Sequence, residues 1–378
     1  MHKTSDFLIA GGGPAGATAA ALLASHGERV TLVERSAIPE QKVCGEFLSH
    51  ETLAYMKGLG LNAWRLGATP IRKLRLAGNH LIAETSLPFE AASLSRKTMD
   101  AALLRHALEC GAHVIQGRQV ERLDRDADGW RMHLSDGEQL RGSQAMLATG
   151  KHDLRGHARG EGMQPGLVAF KMHLKLSGEQ TRQLNEAVEV VLFPGGYLGM
   201  QPTEDGNANL CLLIRGNTLR KIGGSWPAAL EHLKASSRFL RERLWAAQEC
   251  FSRPFALSHI PYGYIRPETP AGLWALGDQA TVIPSFSGDG MAIALHSAHC
   301  AVACYASHHD AAEYNRQMRR CHQSQVVWST RLSRMMVEAP QLASLLRYCP
   351  SLLQRLATST RIAEDRLFTP SLKPRDVS

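Results

Sequence analysis

The sequence predicts an α/β fold in which a parallel sheet is interleaved with a second β-sheet region and followed by C-terminal helices. A short apolar strand, a glycine-rich turn, an alanine-rich helix and a second strand follow one another over residues 6–34. Segments of alternating polarity fill residues 160–268, which is typical of a sheet with one face on a core. An apolar strand at 273–276 then returns to the first sheet, and helical periodicity runs from Met291 towards the end.

Composition indicates an ordinary globular chain, because 44% of the 378 residues are apolar and 21% are charged. Its apolar runs are too short to span a bilayer. The apolar N-terminus is interrupted by glycines that belong to a motif, so we do not interpret it as a signal peptide. The eight cysteines show no disulfide spacing. We therefore expect a cytoplasmic protein, with peripheral membrane contact as an alternative.

The glycine-rich turn is the strongest functional signal. It matches G-x-G-x-x-G between a strand and a helix, and it reads Gly11-Gly12-Gly13-Pro14-Ala15-Gly16. Gly11 makes the tight turn, Gly13 lets the backbone approach a pyrophosphate, and Gly16 lets the helix pack closely on the strands. The helix N-terminus presents N–H groups to the phosphates. These features predict a Rossmann-type dinucleotide site.

Glu34 ends the second strand, eighteen residues after Gly16. A carboxylate there accepts hydrogen bonds from the adenosine ribose hydroxyls and repels a 2′-phosphate, which argues against NADP at this position. Arg35, the next residue, is assigned to the same cofactor site. The motif alone does not distinguish FAD from NAD.

A second glycine motif makes that distinction. Gly277-Asp278 follows an apolar strand, and Gly288-Asp289-Gly290-Met291 opens a helix. The pattern resembles the second FAD motif of the p-hydroxybenzoate hydroxylase-like flavoproteins, a superfamily that includes geranylgeranyl reductases and flavin halogenases. The resemblance implies FAD as cofactor, with Asp278 on the ribityl chain. It also places Gly288 and the backbone of Gly290, Met291 and Ala292 at the flavin, where the helix dipole stabilises the anionic reduced form.

Two further segments resemble the same superfamily. The helix that starts near Ser95 resembles its arginine helix, which implies that Arg96 reaches the FAD phosphate and ribityl region. A solvent-facing arginine in a first helical turn is the alternative. Val120 resembles the position whose backbone meets adenine, and plain strand core is the alternative there.

Residues 41–46 resemble the Cys-Gly element of the geranylgeranyl reductase branch, which packs beside the flavin. They read Gln41-Lys42-Val43-Cys44-Gly45-Glu46. Cys44 is therefore our candidate catalytic residue and flavin contact, with a small buried hydrophobe as the alternative. Thr149 stands where the aromatic hydroxylases carry an aspartate before glycine, which argues against NADPH use in their usual manner. The halogenase Trp-x-Trp-x-Ile-Pro segment is missing.

Late in the chain, His296, Cys300 and Cys304 share one helical face, which we interpret as a buried face, so no metal is assigned. The excess of Lys and Arg, 43 against 35 Asp and Glu, is concentrated in the same region. We predict no nucleic-acid binding, because few aromatics interleave with these arginines. A solvated helix face, or attraction to a membrane surface or an anionic substrate carrier, remains open. The arginines are Arg316, Arg319, Arg320, Arg331, Arg334, Arg347, Arg355, Arg361 and Arg366.

Together these features predict an FAD-binding domain from residues 1–75, 91–155 and 270–305. A β-sheet substrate domain is expected from 76–90 and 160–268, and a helical region from 306–378. The expected activity is FAD-dependent oxidoreduction of a hydrophobic small molecule, with NADPH or NADH as candidate electron donor. Monooxygenation of a phenolic or polyketide-type compound and reduction of an isoprenoid-type double bond both stay open. A non-enzymatic flavin-binding module is the third hypothesis. The sequence leaves the oligomeric state open.

Overall fold

A computed structural model describes residues 5–341, 343, 346, 350–359 and 361–362. Arg347 and Arg366 of the late arginines lie outside these residues, as does Cys349. In chain order the strands are β1 (Ser5–Ala10), β2 (Val30–Glu34), β3 (Phe47–Leu48), β4 (Thr69–Pro70), β5 (Lys73–Ala77), β6 (Leu81–Ser86), β7 (Ala92–Ser93), β8 (His113–Gln116), β9 (Val120–Asp126), β10 (Gly129–Leu134), β11 (Gln139–Leu147), β12 (Leu167–Lys175), β13 (Ala187–Phe193), β14 (Gly196–Pro202), β15 (Ala208–Arg215), β16 (Gln248–Glu249), β17 (Phe255–Leu257) and β18 (Leu273–Ala275).

Some of the α-helices lie where the sequence predicts helices, and others, mostly later in the chain, do not. They are α1 (Pro14–Ser25), α2 (His50–Gly58), α3 (Arg96–Glu109), α4 (Gly178–Leu184), α5 (Gly216–Lys221), α6 (Trp226–Ser236), α7 (Arg238–Arg243), α8 (Gly290–Ala306), α9 (Ala311–Glu338) and α10 (Pro350–Ser359).

The first sheet has the order β8–β2–β1–β11–β10–β9, with β18 beside β11. Strands β8, β2, β1 and β18 run parallel with their neighbours, whereas β9 and β10 form an antiparallel extension. One face of this sheet packs against α1, α3 and α8 in the largest apolar cluster. Alanines at 17, 19, 20 and 21 let α1 lie close to the strands, as the glycine motif predicts.

The second sheet has the order β16–β12–β15–β14–β13–β5–β6, with β17 beside β12, and it is mostly antiparallel. The side chains of β12 alternate between its two faces. Phe170, Met172 and Leu174 pack against α5, α6 and α7, whereas Ala169 lines a cavity on the opposite side. The β3–β7–β4 sheet completes the fold. The predicted α/β class with two interleaved sheets and C-terminal helices is confirmed.

Two regions differ from the prediction. Residues 160–268 contain helices α4 to α7 besides the predicted strands. Ser225 caps the start of α6, where its side chain accepts a hydrogen bond from the amide of Ala228. Helical structure from Met291 onward is interrupted after Ala306, because His308 has a left-handed φ of 59° and Asp310 caps the start of α9. The division into the domain ranges above stays a prediction. Its boundary at residue 75 falls inside β5, which pairs with β13.

Candidate functional site

A cavity of about 570 Å³ extends between the first sheet and the inner face of the second. The glycine-rich turn, Glu34 and Val120 line one end of it. Apolar side chains from β5, β13, α9 and α10 line the other end: Leu76, Val190, Leu192, Leu332, Met336 and Leu353. The cavity therefore joins a polar, glycine-rich compartment to an apolar one.

The glycine-rich turn leaves open space at the N-terminus of α1. Gly11 has a φ of 106°, and a Cβ atom there would lie 2.4 Å from the carbonyl oxygen of Ala148. A Cβ atom at Gly16 would lie 1.9 Å from the carbonyl oxygen of Gly11, so both positions exclude a side chain. A Cβ atom at Gly13 would first meet the Arg96 guanidinium, at 3.5 Å. The space over Gly13 is therefore open and lies next to the positive charge of Arg96.

Glu34 is buried at the end of β2 and lines this compartment. Its Oε2 accepts from the amide of Gly12 at 2.7 Å, and its Oε1 accepts from the amide of Ser36 at 3.1 Å. An ionised carboxylate has about four acceptor sites, so these bonds fix its orientation and still leave sites for ribose hydroxyls. The exposed Arg35 lies at the rim, with its Nη2 3.2 Å from Nε2 of His152.

Arg96 is held over the turn by a carboxylate one helical turn further along α3. Its Nε and Nη2 donate to the two oxygens of Asp100 at 2.9 and 3.0 Å. Lys42 donates to the same carboxylate at 3.1 Å. Burial would lower the pKa of Arg96, but the charge of Asp100 and its hydrogen bonds to the guanidinium raise it well above its ordinary value. A fixed guanidinium at a helix N-terminus suits a pyrophosphate.

Asp278 follows β18 and faces the same compartment. Its Oδ2 accepts from Nζ of Lys151 at 3.0 Å. Burial would raise the pKa of Asp278, but the charge and hydrogen bond of Lys151, together with the charges of Arg159 and Arg96, lower it. Lys151 comes two residues after Thr149, in the segment where the hydroxylase aspartate is missing. Lys151 therefore lies beside Asp278, the residue predicted to contact the ribityl chain.

Helix α8 begins beside the middle of the cavity. Gly288 has a φ of 72°, and a Cβ atom there would lie 2.6 Å from the Phe47 ring. The next residue, Asp289, is fully buried and accepts from Nη1 of Arg361. Burial raises the pKa of Asp289 to about 7, against the charge of Arg361. The guanidinium of Arg361 also stacks over Phe89, 4.7 Å from the ring centroid.

The Cys-Gly loop lies against the inner face of the second sheet. Asn209 donates to the carbonyl oxygens of Cys44 and Gly45 at 3.1 and 2.9 Å. The Cys44 thiol lines the cavity beside Arg96 and accepts from the amide of Glu46 at 3.4 Å. Cys44 is half-buried and lines the cavity, and its contact with a flavin stays a prediction.

A buried ionic cluster fixes the end of this loop. Glu46 is fully buried with a left-handed φ of 61° and accepts from Nζ of Lys171. It also bonds Nε2 of His173 at 2.9 Å and accepts from the amide of Arg96 at 2.8 Å. Burial would raise the pKa of Glu46, but the bond from His173 and the charge of Lys171 lower it. The ionised Glu46 thus ties the loop to β12 and α3.

The apolar compartment contains one small polar group. The hydroxyls of Tyr197 and Ser285 are 3.0 Å apart, and Tyr262 lies beside them. Tyr197, Ser285 and Tyr262 all line the cavity. Burial raises the pKa of both tyrosines well above its ordinary value, so they stay protonated and can donate hydrogen bonds at neutral pH.

The structure brings most of the predicted site residues to the cavity, although their roles remain predictions. Those that line it are Gly11, Gly13, Pro14, Ala15, Glu34, Arg35, Cys44, Arg96, Val120, Asp278, Gly288, Gly290 and Met291. Gly16 acts instead through close packing under the turn. The side chain of Ala292 packs with Ile283 and Ile293, so only its backbone remains for the predicted flavin contact.

Sequence reasoning missed the partners that hold these residues. Lys171 and His173 did carry a signal, because two polar residues share one face of the otherwise apolar β12. Lys151 and Arg361 carried no such signal. Lys151 lies 127 residues from its partner Asp278, and Arg361 lies 72 residues from its partner Asp289.

The described part of the chain has neither a candidate metal site nor a membrane-spanning helix. Among those residues, no group of three or more His, Cys, Asp or Glu could hold a metal ion. His296 and Cys300 instead contact each other inside α8, at 3.3 Å. Of the helices in those ranges, none is long and apolar enough to cross a membrane.

Comparison with known proteins supports FAD binding. Residues 4–145 match the protein-family model of the FAD binding domain. The chain is 24% identical over 324 residues to the menaquinone reductase of Mycolicibacterium smegmatis, covering 81% of this chain and 78% of the relative. It is 30% identical over 224 residues to digeranylgeranylglycerophospholipid reductase 2 of Methanopyrus kandleri, covering 56% and 55%. The predicted resemblance to this superfamily is confirmed.

Solved structures show the same fold at low sequence identity. The myxobacterial chondrochloren halogenase CndH is similar with a TM-score of 0.76 and 19% identity, over 98% of this chain and 94% of that one. The probable FAD-dependent monooxygenase PqsL from Pseudomonas aeruginosa is similar with a TM-score of 0.67 and 17% identity, over 94% and 99%. Because a halogenase and a probable monooxygenase both have this fold, the fold leaves the reaction open.

Proposed function

We propose that this chain, an FAD-dependent oxidoreductase by its domain and its relatives, reduces a double bond in an apolar, isoprenoid-type substrate. One observation carries the proposal: the cofactor compartment continues into an apolar compartment that holds one small polar group. The names of the two reductases among its relatives support the same reaction class.

The polar compartment fits FAD. The open space over Gly13, the α1 N-terminus and Arg96 would hold the pyrophosphate, and Glu34 would hold the adenosine ribose. Asp278 would take the ribityl chain, and the start of α8 would face the flavin ring. When bound, FAD supplies the hydride-transfer chemistry. NADPH or NADH would supply its electrons.

The apolar compartment selects and positions the substrate. Leu192, Leu332 and Leu353 offer aliphatic contacts, and each buried methylene contributes about 0.8 kcal/mol. A charged or strongly polar substrate would lose its hydration without compensation there. Tyr197 and Ser285 would hold a single hydroxyl or carbonyl group, which fixes how far the chain enters. Packing of these residues also keeps water from the reacting carbon atoms.

The test compares two acceptors under single-turnover conditions. The FAD-loaded protein is reduced anaerobically and then mixed either with an isoprenoid alkene or with oxygen plus a phenolic compound. We expect the alkene to reoxidise the flavin and to gain two hydrogen atoms, as measured by mass spectrometry. A product that instead carries one oxygen atom from labelled O₂ would establish a monooxygenase. A flavin that neither NADPH nor NADH nor dithionite reduces would favour a non-enzymatic module.

A matched pair of variants tests the apolar compartment itself. Leu353 and Leu352 are neighbours on α10, but Leu353 is buried and lines the cavity, whereas Leu352 is exposed. Leu353→Asp should abolish reoxidation by the alkene and leave FAD content unchanged. Leu352→Asp should change neither. Equal alkene turnover in both variants would contradict the assignment of this compartment to the substrate.

A further inference from the structure

Helix α9 has two contrasting faces along its 28 residues. Its inner face is buried and includes Tyr314, Met318, Val326 and Met336. At 1.5 Å per residue the helix is about 42 Å long. Its outer face is therefore a long surface on one side of the protein.

The outer face is strongly basic. It carries five arginines, whereas the acidic residues of α9 are Glu313 and Glu338, one near each end. Arg316 pairs with Glu313, and Arg334 donates to the carbonyl oxygen of Met163. The arginines are exposed at helical spacing: Arg316, Arg319, Arg320, Arg331 and Arg334.

The same face exposes large apolar side chains beside the arginines. Trp328 is 46% exposed and Met335 is 39% exposed. Met335 also lines the cavity, as does Phe255, which is 36% exposed. These two residues are where the apolar compartment approaches the surface. On α9, Arg331, Arg334 and Trp328 lie within about two helical turns of Met335. Arg316, Arg319 and Arg320 extend the basic face further towards the start of the helix.

We infer that the outer face of α9 docks on an anionic lipid bilayer, so that the apolar compartment opens towards the lipid. Arginines bind lipid phosphates, and tryptophan prefers the headgroup level of a bilayer. An acidic carrier protein would complement the arginines, but it would give no reason for Trp328 and Met335 to be exposed beside them. The inference rests on the proposed function, because an apolar substrate is one that dissolves in a bilayer.

The test is binding of the FAD-loaded full chain to lipid vesicles, measured by co-sedimentation. Vesicles of phosphatidylglycerol mixed with phosphatidylcholine are compared with vesicles of phosphatidylcholine alone. We expect binding to the anionic vesicles that weakens with added salt. Arg320→Gln combined with Arg331→Gln should weaken it roughly 25-fold, since each interfacial basic residue contributes about 5-fold. Trp328→Ser should weaken it further.

A control on α7 makes the assignment specific. Trp245 follows α7 and is 72% exposed, close in sequence to Arg238 and Arg241. Arg238→Gln combined with Arg241→Gln should leave vesicle binding unchanged. Equal loss in this control, equal binding to neutral vesicles, unchanged binding of the α9 variants, or binding to an acidic protein without vesicle binding would each overturn the inference.

The two proposals fail in different ways. Vesicle binding does not depend on turnover, so intact binding without alkene reduction would contradict only the proposed function. Alkene reduction in detergent without vesicle binding would contradict only the docking of α9.

Discussion

A buried histidine should make the protein sensitive to acid. His296 lies inside α8, where its Nδ1 is 2.7 Å from the hydroxyl of Tyr55 and its ring is 5.1 Å from that of His322. Burial, together with the charges of His322 and His299 acting in the same direction, lowers the pKa of His296 from 6.5 to about 3. The folded protein therefore keeps this ring neutral at pH values where the unfolded chain protonates it.

The sign and size of the effect follow from this difference in pKa. Stability from a neutral His296 is fully present above pH 6.5 and is lost as the pH falls from 6.5 towards 3. Between pH 7 and pH 5 the loss is about 2 kcal/mol, from the two pKa values. Asp289, whose pKa is raised, contributes in the opposite direction over an overlapping range. A single pH curve of the wild type would therefore mix the two contributions.

The difference between wild type and His296→Gln isolates the histidine. Glutamine keeps an acceptor for the hydroxyl of Tyr55 but has no titratable group. Urea unfolding of both proteins at pH 7 and pH 5 gives two differences in free energy of unfolding. We expect the wild type to lose about 2 kcal/mol relative to the variant on acidification. An identical difference at both pH values would refute this reasoning, because Asp289 and His299 are common to both proteins.

Three further predictions concern the cofactor compartment. Glu34→Gln should weaken FAD binding by roughly 10- to 100-fold, because a charge-assisted hydrogen bond contributes about 1.5–3 kcal/mol; a flavin fluorescence titration with unchanged affinity would remove Glu34 from the site. Cys44→Ser should keep FAD bound and change the rate of flavin reoxidation, whereas a shift in melting temperature alone would assign Cys44 to packing. Gly16→Ala should prevent folding to an FAD-binding form, measured by FAD content, since its Cβ would overlap the carbonyl of Gly11. The control Gly58→Ala meets no atom within 4 Å and should retain full FAD content.

Local patterns account for the parts of the fold that the sequence predicted. The glycine-rich turn, β2 and Glu34 lie within one short stretch of chain, so strand, turn and helix signals determine their arrangement directly. The start of α8 was predicted from local signals as well, since Gly288 and Gly290 directly precede the helical periodicity that begins at Met291. Helices α4 to α7 were missed because the strands around them dominated the pattern, although Ser225 and Pro227 are ordinary signals for the start of α6.

The rest of the site depends on contacts between distant segments. Lys171 and Glu46 are 125 residues apart, and no local sequence pattern indicates that they pair. The buried charge of Lys171 nevertheless requires an opposite charge, because an isolated ammonium group is costly to bury. A buried strand with two polar residues on one face therefore predicts that a partner exists, and only the tertiary structure identifies it as Glu46.

Because Asp289 pairs with Arg361, the cavity around them can be completed only late in synthesis of the chain. The glycine-rich turn is made within the first sixteen residues, and chains grow at about 5–20 residues per second from the N-terminus. Asp289 emerges much later, and the cation that neutralises it follows another 72 residues behind. During that interval the nascent chain contains the glycine-rich turn and Asp289 but not yet Arg361, the residue that pairs with Asp289. Completion of the cavity beside α8 is thereby coupled to the synthesis of Arg361. If this part of the cavity holds the flavin as proposed, a ribosome stalled before Arg361 should display a chain that retains FAD poorly.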